Sequence, residues 1–281
     1  MKKETTLSVL IYIFGPVIRF IILEELAAAA MDFAWNSSLQ DMILRSAGSA
    51  HSFRIQTMWS FLRLLLSAGA GCLSVRKEAL LERTAFVTGQ KQRQLLYKGY
   101  AAAGENLKAR IMPLLLSAVI LLALGINVLF SCVMPDLGSP QSFGNLPGIA
   151  GILLQAMLYC LFMPYVEETV FRGILYPRLQ RGYGTGTAIL GSAAFFGIYH
   201  GTLSQGIYAL IMGIVFAAAY EAAGSFKVPF ALHGACNLAV LLLQWTDTYK
   251  TFCKPLWAAV FTGTAVCGFF TINLIIKKTA E

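Results

Sequence analysis

Charged residues are scarce in this chain of 281 amino acids. Asp, Glu, Lys and Arg make up 13% of it, about half the share found in an average soluble domain. Apolar residues make up 57% and the mean hydropathy is +0.66. This composition excludes an ordinary water-soluble domain and points to an integral membrane protein. Acids are scarcer than bases, 14 against 22, which leaves a net charge of +8. The bases fall between the apolar runs, as the positive-inside rule describes. No nucleic-acid motif or aromatic stacking pattern accompanies them, so no nucleic-acid partner is expected. The six cysteines (Cys72, Cys132, Cys160, Cys236, Cys253 and Cys267) form no CxxC pair. That spacing excludes a disulfide framework or a thiolate zinc cluster and leaves them as small core residues. HExxH is absent. The two halves show no inverted symmetry of the kind transporters carry. Histidine occurs only at His51, His200 and His233.

What is present is a series of apolar runs. The fold class expected is all-α, a polytopic membrane helix bundle of about eight transmembrane spans with a polar site between helices. The spans are Leu7–Leu23, Thr57–Val75, Ile111–Met134, Gly148–Arg172, Thr187–His200, Gln205–Ala223, Val228–Trp245 and Leu256–Ile276. The first run is interrupted by Pro16 and Arg19 and ends in Glu24 and Glu25. It reads as an uncleaved span rather than a signal peptide. Arg76–Arg110 holds eight bases against three acids and reads as a cytoplasmic, partly helical linker near anionic lipid. Alternating the spans from an inside N-terminus puts Arg76–Arg110 and Lys277–Lys278 on one side and the Asp136 loop on the other. The expectation is a multi-pass plasma-membrane protein with both termini cytoplasmic. His51 has no partner at metal-ligand spacing and reads as a surface residue.

The stretch Leu161–Arg181 carries the first chemical signal. Glu167 and Glu168 end a long apolar run, and Arg172 follows. Acids and bases inside an apolar span are costly unless paired or facing a wet cavity, so they mark a functional site. On a helix, Glu168 and Arg172 are i,i+4 neighbours with the acid first, the favourable order for an ion pair. Glu167 lies about 100° round the helix, on the face of Phe171. Glu168 and Arg172 thus read as structural support, and Glu167 as the carboxylate that faces a pocket.

The fifth and seventh runs carry the other two signals. Phe196 and His200 are i,i+4 on one helix, and His233 and Asn237 are i,i+4 on another. Gly182, Gly184 and Gly186 mark a turn between the fourth and fifth runs. Glu167 lies 15 residues before Gly182 and His200 lies 14 after Gly186. In a helix hairpin both then stand ~21–23 Å from the turn. With Arg172 and Lys227 taken as interface markers, Glu167 lies ~7 Å and His233 ~9 Å deeper, in one layer. Only a short chain, Thr202–Gly224, leaves His200 and returns, so either the helices around Gly201–Gly206 are short and the site is deep, or that turn lies within the protein interior.

These residues resemble the three motifs of the CPBP family of intramembrane proteases, which includes the type II CAAX prenyl endopeptidases and bacteriocin-processing or self-immunity proteins. EExxxR matches Glu167–Arg172, FxxxH matches Phe196–His200 and HxxxN matches His233–Asn237. The resemblance covers Gly148 to Trp245. It implies an intramembrane endopeptidase that cuts a peptide or small membrane protein near the cytoplasmic face. Glu167 and His200 would activate water, and His233 and Asn237 would stabilise the oxyanion. The cofactor stays open. Glu167, His200 and His233 are also the candidates for holding a divalent metal such as zinc, and a metal-free glutamate mechanism suits the same residues. A non-catalytic membrane immunity or scaffold protein of the same fold is the alternative. The chain then divides into 1–110, two spans and a basic cytoplasmic linker, and 111–281, the membrane protease core with its motif region 148–245. The expected partners are a peptide or membrane-protein substrate and the lipid bilayer.

Overall fold

The computed structural model describes residues 6–36, 40, 49–96, 104–133, 148–246, 251–252 and 254–280. Among them there is no strand. The helices are α1 (Thr6–Ala34), α2 (Ser49–Leu96), α3 (Gly104–Val133), α4 (Gly148–Gln155), α5 (Met163–Val170), α6 (Tyr176–Tyr199), α7 (Leu203–Ala223), α8 (Lys227–Trp245) and α9 (Pro255–Ala280). Two π-helical segments join them without a break: π1 (Ala156–Phe162) between α4 and α5, and π2 (Phe171–Leu175) between α5 and α6. The protein is a polytopic helical membrane bundle.

Eight spans are not what the chain forms. Among the described residues six helical stretches are long and apolar enough to cross a membrane, and the apolar Pro255–Thr271 is a shorter seventh. The expected fourth and fifth spans belong to one helical stretch, Gly148–Tyr199. It is broken in direction at Gly184, whose φ of 83° and ψ of 172° suit glycine and few other residues. Phe171 and Phe196 meet across the bend with ring centroids 5.1 Å apart. On a straight helix they would lie about 37 Å apart. The part of α6 after Gly184 is therefore a return arm. At about 22 Å it is too short to cross a hydrocarbon core of ~30 Å. It ends at the half-buried His200, and α7 starts beyond the exposed Gly201 and Thr202, with the Thr202 hydroxyl accepting from the Gln205 N–H at 3.4 Å. The short chain between His200 and Lys227 is one helix, α7, entered through this turn.

The first part of the basic block 76–110 is helical, as α2 runs on through it to Leu96. Glu82 on that extension is buried. It bonds Arg178 Nε at 2.9 Å and also takes Arg181. Arg172 is fully enclosed by the protein. Of the cysteines, Cys160 and Cys236 are buried, Cys72 and Cys132 half-buried, and Cys267 exposed. The Asp136 loop, Lys250 and Cys253 lie outside the described residues, as does the side chain of His51.

The core has two main parts. One joins α1, α2, α5, π2, α6 and α7 through residues such as Phe20, Phe171 and Tyr220. The other joins α3, α7 and α8 through Val119, Phe216 and Leu232. Helix α9 packs chiefly on α3, away from the return arm.

Candidate active site

A cavity of about 370 Å³ lies where the return arm ends. Glu167, His200, His233 and Asn237 all line it. They come from α5, the end of α6, and α8, and the bend at Gly184 brings the first two together. The four residues singled out in the sequence therefore do share one site.

Each side chain is held by a partner that fixes its chemistry. His200 Nδ1 lies 2.8 Å from the Phe196 carbonyl, which only accepts. Nδ1 must therefore carry the hydrogen, and Nε2 of the neutral ring is the basic nitrogen. His233 Nδ1 lies 2.9 Å from Glu168 Oε1, so it donates there. Its Nε2 is 3.5 Å from Glu167 Oε2. Asn237 Nδ2 donates to the Tyr159 carbonyl at 2.7 Å, which sets the orientation of the amide. Tyr159 belongs to π1, and π-helical turns recur at functional sites because they displace backbone groups from the regular ladder.

Glu168 and Arg172 form the buried pair that the spacing implies. Arg172 Nη1 bonds Glu168 Oε1 at 3.0 Å, and both side chains are fully enclosed. Arg172 Nη2 donates to the Gly213 carbonyl on α7 at 2.9 Å. Its guanidinium also lies over the rings of Phe196 (4.7 Å) and Phe216 (5.6 Å). The pair does more than hold one helix. It ties α5 to α7 and α8 and orients the His233 ring, which stacks on Phe216 at 4.9 Å. Phe196 stands edge-on to both imidazoles, 4.7 Å from His200 and 5.8 Å from His233. Cys236 turns away from the cavity, with Sγ 3.7 Å from the Val119 carbonyl.

Helix α8 reaches π1 closely because residue 234 is glycine. A Cβ there would stand 2.4 Å from the Cys160 carbonyl oxygen. Gly234→Ala is expected to push α8 outward, at ~1–3 kcal/mol for an overpacked contact, and to displace His233 and Asn237 from the cavity. Thermal melting in detergent together with a turnover assay checks this. Wild-type values in both would show that the close approach is not needed.

The sequence reading missed several lining residues. Glu24 on α1 is buried at the cavity, and its two oxygens each lie 2.8 Å from the Tyr199 hydroxyl. Tyr208 and Phe216 on α7 also line it. Glu24 stands in an apolar run, and the argument applied to Glu167 would have found it. The tyrosine and the phenylalanine carry no such signal.

A catalytic zinc needs three convergent protein ligands. Among the described residues no three His, Cys, Asp or Glu side chains gather as a metal site would need. His233 Nδ1 donates to Glu168, which leaves Nε2 to face Glu167. Glu167, His200 and His233 are not gathered here as the three ligands of a catalytic zinc.

Residues 149–239 match the family model described as type II CAAX prenyl endopeptidase Rce1-like. The matched segment holds Glu167, His200, His233 and Asn237 and excludes Glu24. No curated protein and no solved structure matches the chain.

Proposed function

From the match of residues 149–239 to the type II CAAX prenyl endopeptidase Rce1-like model, we propose that the chain is a CPBP-type intramembrane endopeptidase working by a glutamate mechanism. The observation that carries this reading is the convergence of Glu167, His200, His233 and Asn237 on one cavity from three helices. The substrate is a peptide or small membrane protein entering from the bilayer. The protein lies in the plasma membrane with both termini cytoplasmic. Residues 111–281 form the protease core, and α1 and α2 pack against it.

Water sits between the Glu167 carboxylate and His200 Nε2. Glu167 takes one proton as the water oxygen bonds to the scissile carbonyl carbon. The carbonyl oxygen becomes an oxyanion, which His233 Nε2–H and the Asn237 amide stabilise. For His233 this requires both ring nitrogens protonated, with Glu168 and Glu167 on either side. The C–N bond then breaks, and Glu167 returns the proton to the departing amine. The products are a carboxylic acid and an amine.

The test is cleavage by purified protein in liposomes loaded with a membrane-inserted peptide library, read by mass spectrometry of new termini. Cleavage is expected, and it should persist after exhaustive chelation. Loss on chelation with recovery on stoichiometric zinc would recast Glu167, His200 and His233 as ligands. Folded protein that leaves the whole library intact would favour the immunity or scaffold alternative.

A further inference from the structure

The cavity also carries a carboxylate that this mechanism does not use. Among the described residues four carboxylates are buried: Glu24, Glu82, Glu167 and Glu168. Glu82 meets Arg178 and Arg181, Glu168 meets Arg172 and His233, and Glu167 meets His233. Glu24 meets none of the described Lys, Arg or His side chains, and its hydrogen-bond partner is the Tyr199 hydroxyl. That hydroxyl has one hydrogen to give, and a carboxylate accepts about four hydrogen bonds. A buried carboxylate without a cation is costly, and an arriving cation relieves it.

The surroundings of Glu24 suit such a cation. Glu25, next in the chain, is exposed and lines the same cavity. Neither Lys nor Arg lines it. The rings of Tyr159, Tyr199, Tyr208 and Phe216 do, and aromatic faces attract cations. Tyr208 is only 8% exposed, and its hydroxyl has no hydrogen-bond partner among the described residues. It is a further acceptor for an ammonium or guanidinium hydrogen.

We propose that Glu24 and Glu25 of α1, with the aromatic wall, bind a lysine or arginine side chain of the substrate beside the scissile bond. This rests on the protease reading. It gives α1, which lies outside the family-matching segment, the task of choosing the substrate.

The experiment uses full-length protein in liposomes with a peptide library randomised on both sides of its central bonds. Wild-type cleavage sites should be enriched at least ~10-fold in Lys or Arg over Asp or Glu within two residues of the cut, by the scale of a paired buried charge. In Glu24→Gln/Glu25→Gln that ratio should fall close to one. Cleavage by the wild type with no enrichment overturns the inference and leaves the protease reading standing. So does an enrichment that survives the double substitution. A library left wholly intact by folded wild type overturns both. If the double variant does not fold, the wild type decides alone. Hexylguanidinium should then inhibit cleavage competitively at least ~10-fold better than neutral hexylurea. Equal inhibition overturns the inference.

Discussion

Glu167→Gln is expected to lower kcat by ~10²–10⁴-fold, the range of a lost general base, while the melting temperature stays near that of the wild type. The substitution keeps the shape of a side chain that lines the cavity but removes the lone pair that takes the water's proton. The ion-pair contact of Glu167 among the described residues is with His233 Nε2 at 3.5 Å, and a glutamine oxygen can still face it. Little stability should therefore be lost. KM should change less than kcat, because the interaction removed belongs to the transition state. Steady-state kinetics on a cleaved library peptide, with a detergent melt, checks both halves. Full turnover in Glu167→Gln would end the general-base role. A collapse of folding would mean that Glu167 is structural, and His200 would then be the base to test next.

The sequence made some of this site legible and hid the rest for identifiable reasons. Glu167, Glu168 and Arg172 could be read because a charged group in an apolar run is physically conspicuous, and because i,i+4 spacing is local. The meeting of Glu167 with His200 followed from counting residues back from the Gly182–Gly186 turn, and the bend does fall at Gly184. The span count failed because hydropathy sees the return arm as another crossing. It cannot see that the arm is only about 22 Å of helix folded back at Gly184. Arg172 served as an interface marker, and nothing local shows that the protein encloses it fully. Its contacts with Gly213 and the rings of Phe196 and Phe216 come from other parts of the chain. The same holds for Glu168, whose second partner His233 lies 65 residues away, and for Glu24, whose partner Tyr199 lies 175 residues away. No periodicity reports such pairings. Nor does any pattern in Ala156–Phe162 announce the π-helix that offers the Tyr159 carbonyl to Asn237.

Arg172→Ala is expected to cost ~3–5 kcal/mol of stability, the usual loss when one partner of a buried ion pair is removed. That is a large share of a typical folding free energy of ~5–15 kcal/mol. Glu168 would be left fully enclosed with its charge opposed only by His233. The Gly213 carbonyl would lose its donor, and the Phe196 and Phe216 rings would lose the guanidinium between them. The yield of folded protein and the detergent melt should both fall sharply. Arg172→Lys should fall between, because an ammonium keeps the charge but not the planar fork that reaches Glu168 and Gly213 together. A second variant separates support from chemistry. Glu168→Gln/Arg172→Met removes the buried charges as a pair, and such replacements are often neutral or stabilising. It should recover much of the melting temperature. Turnover should stay low, because His233 Nδ1 would then face a neutral amide in place of the carboxylate that orients it. If the double variant regains both melting temperature and turnover, Glu168 and Arg172 serve only the fold. If Arg172→Ala alone melts like the wild type and loses turnover, the arginine belongs to the reaction, and its burial away from the cavity must be re-explained.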